Sequence, residues 1–222
     1  MITIYGVPFS VHTRKAIIAA ALKGIPHEVK PVIPFHPPEN WTSLSPTGLI
    51  PALTDGDFKL ADSTAICHYF ERIRPEPALL PKDHKLAAAA LFLDAYAGGT
   101  VFRQVVHGLF VQKVIRPKIL ERATDDAAIA AIMMQVQPPV FDYLDSASAN
   151  EFLVGDQLSL ADIAVMSNLI NYCYLGFRID AGRHPRLLKY FDRHVASDPF
   201  ATALRNERPF AEQLGLDRSF AA

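Results

Sequence analysis

Ser45-Pro46-Thr47-Gly48-Leu49-Ile50-Pro51-Ala52-Leu53 runs through Asp55-Gly56-Asp57 and Phe58-Lys59-Leu60-Ala61 into Asp62-Ser63-Thr64-Ala65-Ile66. A cluster of turn formers opens the stretch. Two short apolar runs joined at an Asp-Gly step then read as a β-hairpin. Asp62 and Ser63 are good helix caps, and Ala65, Ile66, Tyr69 and Phe70 recur behind them at helical spacing. Pro51 stands where a strand should begin, a place proline tolerates only at a first residue or an edge. A cis Ile50-Pro51 bond would turn the chain there and leave the backbone N–H and C=O of Ile50 facing outward, open to an extended peptide ligand. Asp62 and Ser63, at the positive end of the helix, would meet that ligand's amino and carboxylate groups.

Upstream, Thr3 to Tyr5 reads as a first strand, stopped by Gly6-Val7-Pro8. Helical spacing begins at Thr13 and runs to Leu22, closed by Gly24 and Pro26. His27 to Val32 makes a second strand, after which Pro31, Pro34, Pro37 and Pro38 impose an extended connection. The order is strand, helix, strand, hairpin, helix. The proline-punctuated run from Arg74 to Asp83 reads as a linker. Beyond it every segment has a helical period. A long helix is expected from His84 to about Lys113, interrupted near Gly98-Gly99, and a second from Asp125 to Leu144, kinked or broken at Pro138-Pro139. A third opens on a capping box, Ser159-Leu160-Ala161-Asp162. Later helices are expected over Pro185 to Ala196 and Asp198 to Asn206, followed by a mobile tail. The domains are therefore assigned as 1–78, a linker at 79–86, and an all-helical unit over 87–222.

Bulk properties narrow the function. The 222 residues suffice for one large domain or two small ones, and 22 Lys plus Arg against 23 Asp plus Glu give a net charge of −1. Nothing in that balance points to nucleic acid or an anionic membrane. Cys67 and Cys173 lie far apart in apolar helical stretches, so two buried thiols in a reducing compartment are expected rather than a disulfide or metal site. The first residues lack the pattern of a signal peptide. A soluble, cytoplasmic protein without a metal is the expectation.

The order Ser45-Pro46-x-Gly48-x-Ile50-Pro51-x-Leu53, followed by Asp62-Ser63-x-Ala65-Ile66, resembles the glutathione-binding signature of the cytosolic glutathione transferase superfamily. The box at Ser159–Asp162 resembles that superfamily's folding signature in its helical domain. The resemblance implies an α/β thioredoxin-like N-terminal domain followed by an all-α C-terminal domain, with glutathione as co-substrate and no other cofactor. Gly6-x-Pro8-x-Ser10 with the basic pair Arg14-Lys15 is similar to the serine-type enzymes, the phi and theta classes and bacterial relatives. Ser10 is accordingly the expected catalytic hydroxyl. Placed between strand and helix, it would hydrogen-bond a thiolate lying on the helix N-terminus. Lowering a thiol pKa from ~8.5 by about two units takes roughly 2.7 kcal/mol. Tyr5 matches the hydroxyl of tyrosine-type classes but reads more simply as a packed strand residue. A cysteine-type mechanism would need a cysteine near Ser10, where there is none.

The resemblance further assigns glutathione contacts to His36, Ile50, Pro51, Asp62 and Ser63. Pro37 and Leu49 replace the basic or amide residues usual at their positions. For the electrophile pocket the candidates are Phe9, His12, Tyr96, Thr100, Arg103 and His107, with Phe102 and Phe110 as further apolar walls. The last four pocket candidates recur at i, i+4, i+7 and i+11, hence on one helix face; a dimer interface or a solvated face fits that spacing equally. The expected function is conjugation of glutathione to a small hydrophobic electrophile. Glutathione-dependent reduction of peroxides or disulfides, and a non-catalytic binding module, are the alternatives. The family also implies a homodimer, with Phe58, Ile66, Tyr69, Phe70, Arg72 and Arg74 on the edge that meets the partner.

Overall fold

The protein is described from a computed structural model covering residues 1–221. Strand β1 (Ile2–Tyr5) is followed by helix α1 (Val11–Leu22), β2 (His27–Lys30), β3 (Ala52–Asp55), β4 (Phe58–Ala61) and helix α2 (Ser63–Ile73). The sheet order is β2-β1-β3-β4; β1 pairs parallel with β2, and β3 is antiparallel to both its neighbours. Period-two alternation gives the sheet two packed faces. Ile2 and Ile4 enter a core with Val11, Ile18, Ile66 and Phe70, whereas Tyr5 packs with Val32, Trp41 and Ala52 on the other side. Strand β2 stops at Lys30 rather than Val32, since Pro31 has no N–H to extend the ladder.

The helical unit begins with α3, a continuous 36-residue helix from His84 to Ile119. The break expected at Gly98-Gly99 does not occur. Instead the helix widens to i→i+5 turns over Ala97–Val106 and again over Val111–Ile119. By length and composition α3 could cross a membrane. Its Val101, Val105, Leu109 and Val114 are nevertheless buried in the protein core. Helices α4 (Asp126–Ala131) and α5 (Gln137–Ala147) run on into each other through another widened stretch, Ile132–Val136, and Pro138-Pro139 sits in the first turn of α5. Central helix α6 (Leu160–Tyr174) is buried along its whole length. The capping box is present: Asp162 accepts from the Ser159 N–H and hydroxyl at 2.8 Å, and also from Leu153 N–H and the Tyr190 hydroxyl.

Helices α7 (Pro185–Val195) and α8 (Asp198–Gln213) complete the bundle. The expected mobile tail is a docked one. Arg178 bonds Asp217 and Ser219, and the Phe220 ring packs on Tyr174 and Phe191. Helix α8 also runs seven residues past the expected Asn206, carrying Pro209 within it.

Two consecutive basic residues of α1 fasten the units together. Arg14 forks onto Glu207 of α8 (Nη2–Oε2 2.7 Å, Nε–Oε1 2.9 Å) and donates to Ser167 O, Asn171 Oδ1 and Phe9 O. Its side chain is 1 % exposed and that of Glu207 0 %. Lys15 reaches the other way, to Asp94 of α3 at 2.5 Å and to Thr64 of α2 at 2.8 Å, and Thr64 in turn donates to Asp94 at 2.7 Å. A third basic residue, Lys23, ties the far end of α1 to Glu71 and to the carbonyls of Arg74 and Pro77. Breaking such a pair strands a buried charge at a cost of about 3–5 kcal/mol. Glu207→Ala should therefore lower the unfolding free energy by about that amount in urea titrations, with a much smaller loss for the exposed pair partner Glu212→Ala.

Candidate functional site

The junction of β1 and α1 is built around Gly6. A side chain there would bring its Cβ to 2.4 Å from Thr13 Oγ1 and 3.2 Å from Ile50 Cβ. Only glycine lets the loop lie this close to both α1 and the segment before Pro51. Ser10 follows as the residue capping α1, and its backbone C=O accepts the first helical bond, from Arg14 N–H. Its hydroxyl, however, makes no capping hydrogen bond, and among the described residues it has no other partner. A half-buried hydroxyl at the positive end of a 12-residue helix is thus left available to a ligand.

The hairpin segment matches its sequence reading closely. Ile50-Pro51 is cis, as is Glu76-Pro77 in the linker, which the sequence did not signal. The backbone N–H and C=O of Ile50 have no partner among the described residues. Ser45 and Trp41 hold the turn from behind, donating to the carbonyls of Leu49 and Gly48. Asp62 adopts φ 81° and accepts the N–H groups of Thr64 and Ala65 with one oxygen, Oδ1. That leaves Oδ2 of Asp62 and the N–H of Ser63 unengaged at the start of α2. One carboxylate oxygen beside a free N–H and a hydroxyl can receive an ammonium and a carboxylate carried on a single carbon.

The His12 side chain, expected in an electrophile pocket, lies against this seat. Its Nδ1 is 3.4 Å from Ser63 Oγ, its ring meets the edge of Phe102 with centroids 4.4 Å apart, and Phe102 in turn approaches His107. Burial, reinforced by Lys15 and opposed by Asp62 and Asp94, lowers the His12 pKa from 6.5 to about 4. The imidazole is neutral at physiological pH.

Other candidates distribute less simply. Tyr5 directs its hydroxyl to Thr54 at 3.5 Å and its ring to Trp41, on the sheet face opposite Ile2 and Ile4. Phe9 is buried and its carbonyl accepts from Arg14. Arg103 and His107 are exposed, Thr100 is half-buried, and Tyr96 forms an aromatic trio with Phe92 and Tyr143. The face drawn at α-helical spacing is redistributed because Thr100 and Arg103 fall on the widened turns, between Tyr96 and His107 on regular ones. Gly98-Gly99 is not explained by close packing: an added Cβ would meet only His12 at 3.8 Å at the first position and nothing at the second. His36 is exposed in the loop after β2, and Leu49 is 65 % exposed beside the cis bond.

A four-stranded sheet domain of thioredoxin type followed by a helical domain is the class these features define. The description "Glutathione S-transferase, N-terminal domain" matches residues 4–78, and "Glutathione S-transferase, C-terminal domain" matches 110–202. A glutathione S-transferase of Triticum aestivum is 28 % identical, aligned over 94 % of this chain and 95 % of its own length. Probable maleylacetoacetate isomerase 2 of Drosophila melanogaster is 30 % identical over 86 % of this chain and 82 % of its own. The crystal structure of a glutathione S-transferase from Rhodospirillum rubrum superposes with a TM-score of 0.88 at 25 % identity, covering 100 % of this chain and 98 % of that one. The chain belongs to the glutathione transferase superfamily.

His12 gives the site a pH signature. Its folded pKa lies below the unfolded value, so the unfolded chain binds the extra proton and stability declines as pH falls from about 6.5 toward 4. The gap corresponds to about 3 kcal/mol. Urea unfolding of His12→Asn should show a weaker acid destabilisation between pH 7 and 4 than the wild type, by up to that amount.

Proposed function

We propose that the protein binds glutathione at the Ile50–Pro51 turn and the start of α2, and that Ser10 stabilises the glutathione thiolate for attack on a small hydrophobic electrophile. The observation that carries this reading is the Ser10 hydroxyl, which neither caps α1 nor bonds any other described group. Ile50 offers N–H and C=O to the cysteinyl backbone of the tripeptide. Asp62 Oδ2 takes the α-ammonium of the γ-glutamyl end, and Ser63 takes its α-carboxylate. Pro51 fixes the turn, and His36, exposed in the loop after β2, is the proposed contact for the glycyl carboxylate. Phe9, Phe102, Arg103, Thr100 and His107 are the candidates for the electrophile side, with Tyr96 further along α3. The division at residues 78 and 87, and a cytoplasmic location, belong to the same reading.

Isomerisation of a cis-enone acid through a glutathione adduct is a second reading, supported by the 30 % identical relative named as a maleylacetoacetate isomerase. It uses the same thiolate. Rates with chlorodinitrobenzene, maleylacetoacetate, cumene hydroperoxide and a mixed disulfide, each with glutathione, separate conjugation, isomerisation and reduction. Inactivity toward all of them would leave a binding module.

Homodimerisation is proposed on exposed aromatic surface. Phe58 on β4 is 47 % exposed with its ring 5.1 Å from Tyr69, and Phe92 on α3 is 54 % exposed beside Tyr143. Two residues expected on that edge are corrected: Ile66 and Phe70 are 0 % exposed because they lie on the inward side of α2. Light scattering at micromolar concentration should give twice the 24.5 kDa chain mass, and Phe58→Glu with Phe92→Glu should halve it.

Ser10→Ala should raise the pKa of bound glutathione and lower turnover at neutral pH, by as much as about a hundredfold for a two-unit rise. The glutathione dissociation constant should stay within a few-fold, since Ile50, Asp62 and Ser63 remain. Higher pH should recover part of the rate. Tyr5→Phe, whose hydroxyl faces Thr54, should change little. The reverse pattern would move the thiolate to Tyr5.

A further inference from the structure

Ser63 is asked to donate its hydroxyl proton to a carboxylate, but nothing in α2 itself orients that hydroxyl. The first polar atom it meets belongs to another element: His12 Nδ1, at 3.4 Å, from the first turn of α1. The imidazole is held in place by more than this contact. Phe102 on α3 packs edge-on against its ring, and Gly98, a turn earlier, lies with His12 Cε1 3.8 Å from where a side chain would start. Beneath it, Lys15, Asp94 and Thr64 lock α1, α2 and α3 together at 2.5–2.8 Å.

We propose that His12 is a positioning residue for glutathione: its neutral imidazole carries the proton on Nδ1, donates it to Ser63 Oγ, and so leaves the Ser63 hydroxyl proton to the substrate's α-carboxylate. The inference rests on the glutathione reading given above. The direction of donation follows from proton count. A serine hydroxyl has one proton and can accept as well. If it gave that proton to His12 Nδ1, it would turn lone pairs toward the incoming carboxylate, an unfavourable arrangement. With Nδ1 as donor, the relay runs imidazole to hydroxyl to carboxylate, and each bond polarises the next. At 3.4 Å the first link is long for a hydrogen bond. Links of this kind shorten when the anion arrives. The charged groups facing the ring are Lys15 on α1, Asp62 at the cap of α2, and Asp94 and Arg103 on α3. Two of each sign leave burial to set its protonation, and burial keeps it neutral.

Asparagine and leucine separate a donor from a space filler, because the Asn side-chain NH2 can replace Nδ1–H whereas Leu only occupies the volume. His12→Leu should raise the KM for glutathione about five- to tenfold, the size of one neutral hydrogen bond, with kcat at saturating glutathione within about twofold. His12→Asn should restore KM to within about twofold of the wild type. Calorimetric titration of glutathione should follow KM. Should His12→Leu fail to fold, the wild type alone decides: two-bond 1H–15N spectra of histidine-labelled protein at pH 7 should show His12 with its proton on Nδ1. A proton on Nε2, or a His12→Leu enzyme with unchanged KM, would overturn the proposal. A wild type that binds no glutathione in calorimetry would overturn it together with the reading beneath it, and that outcome is distinct from normal binding with a silent His12.

Discussion

Arg14 has five N–H donors, and the fold places acceptors from three separate elements around them: a carboxylate from α8, a carbonyl and an amide from α6, and the carbonyl of Phe9 just before α1. A guanidinium buried this deeply tolerates little displacement, because each lost bond leaves a desolvated charge less compensated. The net gain in stability from such a pair is small; the penalty for moving it is large. The position of α1 against the helical domain is fixed by that penalty. So is everything α1 carries at its N-terminus.

Lys15 extends the constraint in a second direction. One residue on, about 100° around the helix, it binds Asp94 and Thr64 instead of Glu207. Two adjacent charges therefore clamp α1 between the bundle on one side and the α2–α3 corner on the other. Thr64 is the next residue after Ser63, so the clamp also sets the distance from the Ser10 hydroxyl to the start of α2.

The long helix α3 brings Phe102 against His12 of α1, and its widened turns take that residue off a straight α-helical stripe. A period of 3.6 residues puts Tyr96, Thr100, Arg103 and His107 on one stripe. With i→i+5 bonding over Ala97–Val106 the stripe rotates. Phe102 turns to His12, whereas Tyr96, on the regular turns before the widening, packs on Phe92 and Tyr143. Local propensity gives no warning of this, because both helix types satisfy the same backbone groups. Packing against α6 and α5 selects between them.

Reading the sequence alone was enough for features whose physics is local. Pro51 between apolar runs, the Asp-Gly turn, Asp62 as a cap and the Ser159–Asp162 box each act within a few residues, and each stands in the structure where the spacing placed it. The thioredoxin-like order and the helical second domain followed from those signals together with the family resemblance. What needed the tertiary structure involves partners far apart in the chain. Glu207 lies 193 residues from Arg14, Asp94 lies 79 from Lys15, and Ser63 lies 51 from His12. A buried charge or a neutral histidine is indistinguishable in sequence from a solvated one. Likewise the tail expected to be mobile after Asn206 is helical to Gln213 and then docks on Arg178 and Tyr174. Desolvation and partner geometry decide these cases, and both exist only once the chain has folded.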